Sequence, residues 1–114
     1  MKKEIEIPIL NDEYKVIFTW GNAEQIKKVL ESYGHQEWAT IGMENCRGRC
    51  FYTRGSHPVI AMPRRPKTPT EIGTLAHEAT HAVEYLFDYI SEKPGGEIFA
   101  HSIGAIVRRC LSGK

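Results

Sequence analysis

The run Thr68-Pro69-Thr70-Glu71, followed by a long stretch of helical periodicity that contains His77-Glu78-Ala79-Thr80-His81, constrains this chain more than any other feature. A threonine cap, a proline at the first helical position and a glutamate at the third mark a helix start. Ile72, Leu75, Ala76, Ala79, Val83, Leu86, Phe87 and Ile90 then recur at three and four residues and predict a broad apolar stripe to about residue 89 or 91. His77, His81, Glu84 and Asp88 form the opposite stripe. Residues four apart stand one above the other on a helix, so His77 and His81 can offer two imidazole nitrogens to one zinc ion. Glu78 points to the side, where it can take a proton from an activated water without being a ligand. A catalytic zinc also needs a third protein ligand and an open position, and Glu97 is the candidate. Glu84 is its rival, although at about 10 Å along the axis from His77 it suits an orienting partner or a surface charge better.

The rest of the chain predicts a frame for that helix. Residues 3–10 and 14–20 are rich in Ile, Val, Phe and Tyr and flank Asn11-Asp12-Glu13, the pattern of a β-hairpin. Asn22 to Gln25 carries a capping-box pattern, Ile26, Val29, Leu30 and Tyr33 share one apolar face, and Gly34 ends the helix. Short apolar runs predict strands near 38–43, 49–54 and 58–62, after which Pro63, Pro66 and Pro69 forbid regular pairing. Glu92-Lys93-Pro94-Gly95-Gly96 breaks the long helix. A second helix is expected over 97–110, with Phe99, Ile103, Ile106, Val107 and Cys110 toward the core and Glu97, His101, Gly104 and Arg108 on its other stripe. Folding back at the glycines would turn that stripe toward the histidines. The expectation is one α+β domain spanning residues 1–114, without repeats or low-complexity segments.

Composition limits the alternatives. A formal net charge of +1 gives no global case for nucleic acid or an anionic membrane. Arg47, Arg49, Arg54, Arg64, Arg65 and Lys67 gather basic charge locally, which reads first as solvated loops. The opening Met1 to Pro8 is too polar for a signal peptide, and no segment approaches a membrane span. Three cysteines, Cys46, Cys50 and Cys110, are an odd number, which favours reduced thiols and a cytoplasmic setting. Cys46 and Cys50 flank Arg47-Gly48-Arg49 and could pair or hold a second metal, but no further ligands complete such a site, so free thiols are expected.

Val59-Ile60-Ala61-Met62-Pro63, His77-Glu78-Ala79-Thr80-His81 and Gly96-Glu97-Ile98-Phe99-Ala100-His101 together resemble small zincin-type metallopeptidase domains of phages and prophages. They are also similar to minimal gluzincins, in which an H-E-x-x-H helix is followed by a glutamate helix. The resemblance covers about the last half of the chain. It implies a zincin-like α+β fold with a small, mostly antiparallel sheet, with His77, His81 and Glu97 as zinc ligands and Glu78 as general base. It further implies that residues 59–62 form an edge strand on which an extended peptide or protein substrate docks by strand addition. No residue matches the oxyanion donor of the larger relatives; His101, Tyr52, Tyr85 and His57 are the substitutes at hand.

Three function classes follow: a zinc metallopeptidase, a zinc-binding interaction module without hydrolysis, and a nucleic-acid-associated protein using the basic 47–67 segment. The peptidase is favoured because Glu78 has no role in a purely structural site, which would normally take four protein ligands. Two imidazoles and a carboxylate also suit iron, while their helical H-E-x-x-H spacing favours zinc. No oligomeric state is expected from the sequence.

Overall fold

The structure, a computed structural model, describes residues 3–10, 13–36, 47–90 and 95–112. Strands β1 (Glu4–Ile9) and β2 (Tyr14–Trp20) form the expected antiparallel hairpin, running from Glu4 opposite Thr19 to Ile9 opposite Tyr14. Alternation along β2 sends Val16 and Phe18 to one face of the sheet and Ile17 to the other, so each face builds its own core.

Helix α1 (Ala23–Ser32) starts at Asn22, whose side chain accepts from the Gln25 backbone N–H while Gln25 reaches back to the Asn22 N–H. Gly34 ends this turn at φ +86, a left-handed conformation that costs glycine little. Ile26 and Leu30 bury against Ile17, Phe51, Val59 and Ala61 on one sheet face.

Strands β3 (Arg49–Phe51) and β4 (Val59–Met62) complete a sheet of order β1-β2-β4-β3. It is mixed: β4 runs parallel to β2 and antiparallel to β3. All four β4 residues are buried, as expected of a strand covered on both faces. Residues 59–62 are therefore an interior strand, which corrects the edge position that the resemblance implied; among the described residues β3 holds that edge. The sequence could not rank the two, because short apolar runs read alike at the edge and in the middle of a sheet. The strand expected at 38–43 lies outside the described residues, as do Trp38 and Cys46.

Helix α2 (Pro69–Tyr89) starts as predicted, with Thr68 accepting from the Glu71 N–H and Glu71 reaching back to the Thr68 N–H. Leu75, Ala79, Ala82, Val83, Leu86 and Phe87 bury against Val16, Phe18, Ile60 and Met62 on the second sheet face. Helix α3 (Gly96–Ser112) packs beside α2 and against β1, with Phe99, Ile106 and Cys110 completing this core. Arg65 donates to the Cys110 carbonyl at 2.8 Å, placing a cation at the negative end of α3. The product is a small α+β domain with one helix on one face of the sheet and two on the other. No helix among the described residues is long and apolar enough to cross a membrane.

Candidate active site

Helical spacing does for His77 and His81 what the sequence predicted: both rings stand outward from α2, and their Nε2 atoms lie 3.1 Å apart. Glu84, one turn further, places Oε1 3.2 Å from His81 Nδ1. A proton on that nitrogen donates to the carboxylate and leaves a lone pair on Nε2, so Glu84 selects the tautomer of His81 that can ligate a metal.

The spacing of the pair can be tested against zinc. Two nitrogens about 2.05 Å from one ion and 3.1 Å from each other subtend about 98° at it, within reach of the tetrahedral angle of about 109°. The donor chemistry, two imidazoles with one already oriented by a carboxylate, also fits.

Glu78 turns inward. Its side chain is only 12% exposed, against 67% for His77, and its Oε2 lies 4.0 Å from His77 Nε2. The Cys50 thiol of β3 is pushed above its usual range first by burial and then by the Glu78 carboxylate. Gly48, two residues earlier, packs so tightly on α2 that a Cβ there would lie 2.8 Å from Thr74 Cγ2. Tyr52, two residues later, stacks on Tyr85 with ring centroids 4.9 Å apart. Gly48 and Tyr52 thus meet Thr74 and Tyr85 in order, so β3 and its flanks run alongside the histidine segment in the same direction.

Glu97 is placed elsewhere. It is 92% exposed on the first turn of α3 and pairs with His101 at 3.6 Å. Both residues, with Arg108, line an open groove of about 1030 Å³ between α3 and the β1–β2 turn, whose walls include Leu10, Tyr14 and Phe87 but neither His77 nor His81. The polar stripe of α3 therefore faces the hairpin turn instead of the histidines, because α3 packs on β1 as well as on α2. Among the described residues no three His, Cys, Asp or Glu side chains are gathered as a metal site. His77 and His81 stand side by side, Glu78 lies 4.0 Å from His77, Glu84 lies on the far nitrogen of His81, and Glu97 pairs with His101.

The candidate oxyanion donors fare unequally. Tyr85 donates its hydroxyl to the Thr53 carbonyl at 2.8 Å, so it is committed to holding the β3–β4 loop. His57 contributes its carbonyl to that loop, accepting from His35 at 2.7 Å. Sequence reasoning considered Tyr52 and Tyr85 singly, not as a stacked pair. The spacing 77, 81, 85, 89 was a legible signal for a ridge on α2, whereas a partner from β3 was not. Comparison of the chain with protein-family models, curated proteins and solved structures finds no match.

Proposed function

We propose that this protein is a zinc-dependent metallopeptidase of the zincin type, with His77 and His81 holding the metal and Glu78 acting as general base. The observation that carries this reading is the pair of Nε2 atoms 3.1 Å apart with Glu84 on the far nitrogen of His81. A bound zinc ion supplies Lewis acidity, polarising a peptide carbonyl and bringing the pKa of water toward about 7. Glu78, beside the pair and largely shielded from solvent, takes the proton from the attacking water and passes it to the leaving amine. The substrate is a peptide or protein held extended beside the histidine segment of α2. The resemblance offers Glu97 as the third ligand; here it pairs with His101 away from the two histidines, so the third ligand is left to the Glu97→Ala variant to decide. A cytoplasmic setting, with Cys50 and Cys110 as free thiols, belongs to the same reading.

Zinc per chain in wild type, His81→Ala and Glu97→Ala, followed by peptide-library cleavage with wild type and Glu78→Gln, tests this proposal. One zinc per wild-type chain, its loss in His81→Ala, and cleavage abolished by Glu78→Gln with the metal retained are the expected results. Full zinc in Glu97→Ala removes Glu97 from the ligand set, and cleavage by Glu78→Gln refutes the mechanism. The commitment of Tyr85 to the loop favours one second reading, a zinc-binding interaction module without hydrolysis. Zinc bound stoichiometrically with no peptide cleaved would select it.

A further inference from the structure

The histidine pair supplies two donors, and a tetrahedral zinc takes four. Both rings stand well out of the surface, His77 67% and His81 49% exposed, so a second molecule can reach an ion that they hold. The helix face around them is uneven in charge. Toward the C-terminal end of α2 it carries Glu84, half exposed, and Asp88, exposed. Toward the N-terminal end it carries Thr70, Gly73 and Thr74, all small, and a Cβ at Gly73 would meet nothing within 4 Å. Arg47 and Arg64 line a hollow of about 300 Å³ together with Thr70 and Thr74. The close packing of Gly48 on Thr74 seats Arg47 beside the helix, and Arg64 is 72% exposed even while it pairs with Glu71.

An acidic end and a basic, small-residue end on either side of a ligand pair make a surface that fits a second copy of itself. A two-fold axis through the middle of the pair, at the level of Ala79, sets two α2 helices antiparallel and repeats every contact twice. At about 1.5 Å of rise per residue, Glu84 and Thr74 each lie about 7.5 Å from that level, and Asp88 and Thr70 each about 13.5 Å. Glu84 and Asp88 of one copy therefore come level with Thr74 and Thr70 of the other, where Arg47 and Arg64 line the hollow. Opposite charges meet at both ends of the contact while the four imidazoles converge at its centre.

We propose that His77 and His81 of two copies of this chain share one zinc ion, with their α2 helices antiparallel and Glu84 and Asp88 of each set against Arg47 and Arg64 of the other. The proposal rests on the zinc-binding part of the metallopeptidase reading and adds the regulation of that site. Four protein ligands leave no position for water or a peptide carbonyl, so the joined pair is the closed form and a chain holding its own ion is the open one.

The test titrates the whole metal-free chain with zinc chloride and follows it by native mass spectrometry and sedimentation velocity. Half an equivalent of zinc per chain should convert monomer to a dimer holding one ion, and excess zinc should return it to monomers with one ion each. His81→Ala should stay monomeric at half an equivalent. Asp88→Lys places like charges together at both ends and should weaken the dimer about 10-fold, and Arg47→Glu in the same chain should restore it. A monomer at every zinc level, a dimer that forms without zinc or survives His81→Ala, or full strength in Asp88→Lys overturns the proposal.

Failure of the hydrolase reading is separable. Monomers that bind one zinc each and cut peptides overturn the bridge and leave that reading intact. A one-zinc dimer whose monomers in excess zinc cut nothing upholds the bridge and refutes hydrolysis. A chain that binds no zinc overturns both.

Discussion

Removing the Glu84 carboxylate should weaken zinc binding without abolishing it. The carboxylate lies 3.2 Å from His81 Nδ1, and both side chains are 49% exposed. Carboxylates that orient a ligating histidine are typically worth about 10- to 100-fold in metal affinity. Ion pairs this open to water are worth only about 0.2 to 1 kcal/mol. Solvent screening decides between the two ranges and puts Glu84→Ala at about 1 kcal/mol, roughly fivefold in Kd. Glu84→Gln keeps an acceptor for the Nδ1 proton and should lose less than half of that. Competition for zinc against a chromophoric chelator at constant salt measures all three proteins beside His81→Ala. An unchanged Kd in Glu84→Ala would refute the orienting role. A loss as large as that of His81→Ala would make Glu84 a ligand in its own right.

Two further outcomes concern the frame of the site. Thr68→Ala removes the acceptor 3.1 Å from the Glu71 N–H at the head of α2 and should cost about 1 kcal/mol, lowering Tm by roughly 4 °C, with Thr68→Ser near neutral; an unchanged Tm in the alanine variant counts against the cap. His35 is fully buried and bonded to Thr53 Oγ1 at 2.9 Å and the His57 carbonyl at 2.7 Å. Burial lowers its pKa below the usual 6.5, so the unfolded chain binds the proton more readily. Its contribution to stability is therefore complete above about pH 6.5 and is lost as pH falls toward the lower folded value, with a slope of at most about 1.4 kcal/mol per pH unit. Urea denaturation between pH 5 and 7.5 should show this slope in wild type and a shallower one in His35→Gln; identical slopes would exclude His35 as its source.

Much of the local structure was legible because it is written in local chemistry. The capping boxes at Asn22 and Thr68 each satisfy exposed helix N–H groups within a few residues, and the alternation in β1 and β2 needs only its neighbour across the hairpin. The pairing of His77 with His81 was legible for the same reason, since helical rise and turn alone bring residues four apart together.

Whatever depended on long-range packing was not. The α+β class, the order of the helices and the outward stand of two histidines on α2 follow from the sequence by itself, because periodicity and capping act over one or two turns. Only the tertiary structure decided that β4 is interior, with β3 at the edge among the described residues, and that Tyr52 stacks on Tyr85. It also decided that Glu97 faces the hairpin groove in company with His101. The polar stripe of an amphipathic helix is whatever its apolar stripe leaves uncovered. For α3 that apolar stripe is claimed by β1 and α2 together, so the direction in which Glu97 points is set by the packing of three elements and by no signal within its own helix.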